Sequence, residues 1–189
     1  MTHPIREPLS SEYSRLIVYA CPTGDLAAQL DAYFAQTRAR LGENTAHQYP
    51  PHISLTGFFH DQPAAIPDYI PALDHALAAV RQLQPSAVIT MARLNLSDEF
   101  HGIEIESAWL KQVIDAFITF APSATRRDAI RKKDWLHLSL AYQFPTAQAQ
   151  ALRTFAQSYV RLDTAVAWQL RFYEQHPDKL WTCHRTWWI

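Results

Sequence analysis

The chain has 189 residues, 48% of them hydrophobic, and its 17 basic and 18 acidic side chains leave a formal net charge of −1. That is enough apolar material for a substantial core, with residues 1–189 expected to form one domain, and near-neutrality excludes whole-protein charge as the means of holding a polyanion. No apolar run approaches the roughly 20 residues that span a bilayer, and Met1 to Glu7 lacks the apolar centre of a secretion signal, so a cytoplasmic location without a membrane partner is expected.

In chain order, Arg15 to Ala20 reads as a short strand ended by Pro22 and Gly24. A helix follows with Leu26, Leu30, Tyr33, Phe34 and Leu41 on one face. The segment Tyr49-Pro50-Pro51-His52-Ile53-Ser54-Leu55-Thr56 reads as a second strand. Asp68 is expected to cap a second helix carrying Ile70, Leu73, Leu77 and Val80, with Pro71 in its first turn and Pro85 beyond its end. Ala87 to Leu96 and Phe100 to Glu106 form a hairpin about Ser97-Asp98-Glu99. A third helix from about Ser107 to Phe120 carries Leu110, Val113, Ile114 and Phe117.

The basic run Arg126 to Lys133 then leads into another apolar strand, Asp134-Trp135-Leu136-His137-Leu138-Ser139-Leu140-Ala141. Thr146 is expected to cap a fourth helix with Leu152, Phe155 and Tyr159. Strands near Ala165 to Glu174 and Leu180 to Trp188 close the chain. This order predicts an α+β protein in which each half supplies sheet and helices around one of two similar strands.

Those two strands carry the chemistry. Side chains two residues apart share one face of a strand, so His52 looks the same way as Ser54, and His137 the same way as Ser139. Ile53, Leu55, Leu136, Leu138 and Leu140 face the opposite, buried side. An imidazole gives or takes a proton near neutral pH, and a serine hydroxyl donates to an anionic oxygen. Across a cleft, one histidine can deprotonate an attacking hydroxyl or water while the other protonates the leaving oxygen on the far side of phosphorus, with no metal required.

The two motifs resemble the paired His-x-Ser/Thr signatures of the two-histidine (2H) phosphoesterase superfamily, which includes the LigT-like RNA ligases and the cyclic phosphodiesterases. The resemblance implies a bilobal fold, two lobes each with an antiparallel-rich sheet and helices, and an active-site cleft between them. It also implies a metal-independent phosphodiesterase acting on a nucleotide with a cyclic phosphate or on an RNA end, most simply opening a 2′,3′-cyclic phosphate to a monoester. In that scheme His52 and His137 are the acid/base pair and Ser54 and Ser139 hold the non-bridging oxygens. The sequence leaves open which histidine is the acid; the preferred arrangement has His137 as base activating water and His52 as acid to the leaving ribose oxygen, roles that exchange if the reaction runs toward ligation. Both motifs carry Ser where many relatives carry Thr. An RNA 3′-end exonuclease, a 2′-5′ RNA ligase and a non-catalytic nucleotide or RNA-end binding protein are the alternatives. A metal-dependent hydrolase on His47, His52 and His137 lacks a placeable carboxylate. No cofactor, metal or obligate protein partner is expected.

Strand parity nominates further residues. Thr56 and Phe58 share the face of His52, and Trp135 shares that of His137, where it can stack on a base. Tyr142 has the parity of Leu138 and Leu140 and reads as core. Trp168, Leu170 and Phe172 on one face leave Arg171 and Tyr173 on the other, within reach of a phosphate or sugar. His184-Arg185-Thr186 also fits a bare His-x-Thr but, among tryptophans, reads as a structural or binding strand. Cys21 and Cys183 lack metal-site spacing and read as reduced strand residues, a disulfide requiring the first and last strands to be adjacent.

Overall fold

A computed structural model describes residues 12–189, so the reading of Met1 to Glu7 lies outside the described residues. The elements in chain order are β1 (Ser14–Thr23), α1 (Asp25–Leu41), β2 (Ile53–Ser54), β3 (Phe59–Asp61), α2 (Ile66–Leu83), β4 (Thr90–Leu96) and β5 (Phe100–Glu106). They continue with α3 (Ala108–Phe120), β6 (Leu136–Tyr142), α4 (Ala149–Tyr159), β7 (Ala167–Gln175) and β8 (Trp181–Trp188). The architecture is α+β. Every strand pairing is antiparallel, and the sheet runs β4-β5-β6-β2-β1-β7-β8, with β3 also on β1. Two lobes, β4-β5-β6 and β1-β7-β8, meet at the two-residue β2.

Period-two alternation divides the sheet into a core face and a cleft face, the latter carrying a second buried cluster of Ile17, Tyr19, Cys21 and Tyr173. Leu16, Val18, Ala20, Ile53, Leu138, Leu170 and Phe172 project to one side and pack with Leu30, Leu73, Val113 and Ala156 of the four helices. Burying one such side chain contributes roughly 1.5–3 kcal/mol before the entropy of ordering it is set against the gain. Helix α3 shows how local signals cooperate. Its predicted stripe, Leu110, Val113, Ile114 and Phe117, is fully buried, and Ser107 accepts a hydrogen bond from the Leu110 N–H at the N-cap, a device worth about 1 kcal/mol.

Some boundaries differ from expectation. Strand β1 continues past Pro22 to Thr23, because beyond Ala20 only β7 borders it and a residue without an N–H is tolerated. Asp68 lies inside the first turn of α2 rather than at its cap, since a 3-10 turn over Pro63–Ala65 starts the helical rotation earlier, and Pro71 falls in the helix interior. Thr146 likewise begins a 3-10 turn, Thr146–Gln148, instead of capping α4.

The first motif strand is divided in two. Strands β2 and β3 lie along the same edge of β1, and between them the chain leaves the ladder. The Thr56 side-chain oxygen replaces a ladder carbonyl there, accepting the Val18 N–H at 3.1 Å. The freed backbone pairs with the basic segment instead: Gly57 N–H donates to the Arg131 carbonyl and Lys133 N–H to that of Leu55. The fully buried Asp61 carboxylate fastens the same connection, accepting from Tyr69, Ser123 and Thr125 hydroxyls and from the Gln62 N–H. Among the described residues, no helix is long and apolar enough to cross a membrane.

Candidate active site

Ile53 of β2 opposes Leu138 of β6 in antiparallel register, both directed into the core. Carried one residue to either side, that register sets His52 beside Ser139 and Ser54 beside His137. The four polar side chains form a square on the other face of the sheet, imidazoles on one diagonal and hydroxyls on the other. Diagonal positions of a sheet lie about 7–8 Å apart, room for a tetrahedral anion between the rings. All four line one cleft of about 340 Å³, with Tyr19, Tyr49, Phe100, Lys133, Trp135 and Tyr142 around them.

The hydrogen bonds of His52 define its neutral tautomer. Its Nδ1–H donates to the Pro50 carbonyl at 2.7 Å, so Nε2 carries the lone pair and faces the Ser54 hydroxyl at 3.2 Å. Burial lowers the pKa of His52 to about 4; the Pro50 carbonyl opposes that shift, and nearby His137 adds to it. Burial also lowers the pKa of His137, with Lys133 acting in the same direction, while the Trp135 carbonyl and Glu104 favour its cation. Glu104 lies directly across β5 from His137. Bonds from Arg93 and Asn95 hold its carboxyl below the usual range and thus charged.

Each histidine is stacked on an aromatic ring. Tyr19 lies 3.8 Å from the His52 ring at an interplanar angle of 28°, and Trp135 lies 4.0 Å from that of His137 at 31°. Phe100 abuts the same His137 edge-on at 5.3 Å. Gly102 creates the space for Phe100: a Cβ there would approach the tip of Phe100 to 2.5 Å and the Leu138 carbonyl to 2.8 Å.

Trp135 is half exposed, with one face on His137, so it both buries the imidazole and presents an edge to the cleft. Thr56 lines the cleft but is fully buried, its hydroxyl engaged by Val18. Arg171 and Tyr173 are on the same sheet face, one strand beyond Tyr19 and outside the central cleft. Tyr142 packs against the core as read, and the register shift between β5 and β6 also brings it to the cleft wall beside Phe100. Parity arguments missed Phe100, Tyr19 and Glu104, whose places depend on register. Tyr19 carried a usable signal, since it alternates with the core residues Val18 and Ala20.

Three other histidines have polar structural partners. His47 closes a capping box with Asn44 and contacts Thr37. His60 pairs with Asp128, and His184 pairs with Glu174 at 3.0 Å. Among the described residues, no three His, Cys, Asp or Glu side chains converge as a metal site requires. Cys21 and Cys183 are both free thiols; Cys21 is buried, which pushes its pKa up to about 12.

Fold and site together define an α+β protein with a cleft lined by paired histidines and serines. The chain is similar to ecdysteroid-phosphate phosphatase of Drosophila melanogaster, at 29% identity over 85% of this chain and 26% of that protein. It is also similar to ecdysteroid-phosphate phosphatase of Bombyx mori, at 28% over 85% of this chain and 24% of that protein. A further relative is ubiquitin-associated and SH3 domain-containing protein B of Mus musculus, at 30% over 80% of this chain and 24% of that protein. The chain therefore spans about a quarter of the length of the curated relatives it matches. No family model matches it.

Proposed function

We propose that this chain is a metal-independent phosphodiesterase of the two-histidine type that opens nucleoside or RNA-terminal 2′,3′-cyclic phosphates to a monoester. The observation that carries the reading is the square: two histidines whose pKa burial lowers, diagonal across a cleft, each beside the other motif's serine. The relatives named as phosphatases support hydrolysis of phosphate esters in general, the name belonging to proteins about four times the length of the shared segment.

The neutral tautomer of His52 favours it as base, the reverse of the arrangement preferred from the sequence, which left the roles open. Nε2 of His52 takes a proton from water as the water oxygen bonds to phosphorus. The bond from phosphorus to one ribose oxygen breaks, and that oxygen takes the proton from His137, whose cation Glu104 and the Trp135 carbonyl favour. Ser54 and Ser139 donate to the non-bridging oxygens as charge develops there. One water is consumed, and exchange with solvent returns both imidazoles to their starting states.

The test is hydrolysis of nucleoside 2′,3′-cyclic phosphates by purified protein with EDTA present. His52→Ala and His137→Ala should each lower kcat by about 10²–10⁴, and Ser54→Ala and Ser139→Ala by about 10²–10³. Absence of turnover by folded wild type on both mononucleotides and RNA ends would sink the catalytic reading.

A further inference from the structure

Four surface cations of this chain pair with a carboxylate: Arg38 with Glu43, Arg93 with Glu104, Lys132 with Asp115 and Arg153 with Asp98. Arg171 is set apart by its place on the sheet. It is partly buried on β7, on the cleft face of the sheet, and among the described residues no carboxylate pairs with it. Its partners are neutral. Nε and Nη2 donate to the Gln169 side-chain oxygen at 3.0 and 2.6 Å, and Nη1 donates to the Tyr173 hydroxyl at 3.1 Å.

Those bonds fix the plane of the guanidinium along its own strand. Of its five N–H groups three are used, which leaves one on each Nη. A half-desolvated guanidinium held in place by neutral groups lacks its anion.

Its position says where that anion comes from. Tyr19 of β1 opposes Ser54 on one side and Arg171 on the other, so the three lie in one row across the sheet. Two strand spacings put Arg171 about 10 Å from the serine along that row. The buried ring of Tyr19 fills the sheet between them, stacked on His52 and in contact with Tyr173 and Trp181.

We propose that Arg171, oriented by Gln169 and Tyr173, is a second anion subsite that takes another phosphoryl group of the substrate, one nucleoside unit away from the phosphate between the histidines. The inference rests on the phosphodiester reading for its first phosphate. The second group is either the 5′-phosphate of a mononucleotide or the next phosphodiester of an RNA strand, which present the same chemistry to a guanidinium.

The experiment compares three substrates: adenosine 2′,3′-cyclic phosphate with a 5′-hydroxyl, the same with a 5′-phosphate, and the dinucleotide ApA ending in a 2′,3′-cyclic phosphate. A gain of tenfold or more in kcat/KM, mostly through KM, is expected for at least one of the two substrates with a second phosphoryl group. Which of them gains identifies its source. In Arg171→Gln the substrates should converge, and Arg171→Lys should retain part of the discrimination. Equal kcat/KM for all three in wild type, or a preference that survives in Arg171→Gln, overturns the subsite.

Calorimetric binding of adenosine 3′,5′-bisphosphate against adenosine 3′-monophosphate needs no turnover. Protein that fails to hydrolyse yet binds the bisphosphate at least tenfold more tightly, and loses this in Arg171→Gln, keeps the subsite and removes the catalytic reading. Turnover without discrimination does the opposite. Thermal melting of each variant shows that the fold is intact.

Discussion

An imidazole that is to donate a proton needs a neighbour that favours its cation, and Glu104 has that relation to His137. Because burial lowers the pKa of both histidines below the ordinary 6.5, the form with one ring protonated is most populated on the acid side of that value. The kcat/KM profile should therefore peak below pH 6.5 and decline above it. Glu104→Gln should move the alkaline limb further to acid, by on the order of half a unit; a limb that stays in place would separate Glu104 from the acid. His52, Ser54, His137 and Ser139 were legible in the sequence because period two is a local property. Glu104 was not, since facing His137 depends on the register of β5 against β6, which no local pattern encodes.

Strands β5 and β6 owe their close approach to Gly102, where any Cβ meets the Leu138 carbonyl and the Phe100 ring. Phe100 can swing aside, but the carbonyl belongs to the ladder that carries His137 and Ser139. Gly102→Ala should cost about 1–3 kcal/mol, read as a lower urea midpoint, and should lower activity by displacing His137. A variant as stable and active as wild type would show that the ladder yields freely. The bulge in this strand pair explains why parity missed the cleft side of Tyr142: it reverses parity after Ser139, and a one-residue shift sends a side chain to the opposite face. Helix α3 was legible to within a residue because Ser107 caps it, whereas the starts of α2 and α4 were obscured by 3-10 turns that Asp68 and Thr146 do not initiate.

For the molecule as a whole, the strand and helix content was readable from the sequence, but the strand order was not, because β6 joins β2, and β7 joins β1, through pairings distant in sequence. Placing the histidines at this junction has a global energetic signature. The folded-state pKa of His52 is depressed, so the unfolded chain binds its proton more readily. The resulting stability is fully present above pH 6.5 and is lost as pH falls toward 4. Between pH 7 and pH 5 that loss is up to about 2 kcal/mol, and urea unfolding of wild type should show it in excess of His52→Gln; parallel pH dependence in the two proteins would mean that His52 is not buried as described. The sheet itself is covered asymmetrically. All four helices pack on one side of it, while the histidine square, Tyr19 and Arg171 belong to the other. On the proposed reading, a substrate lying against the exposed Trp135 serves as a temporary roof, and the shelter in which protons change hands is built partly from the molecule being cut. Larger, flatter substrates will keep that shelter drier than small ones, so the reactant contributes to its own activation.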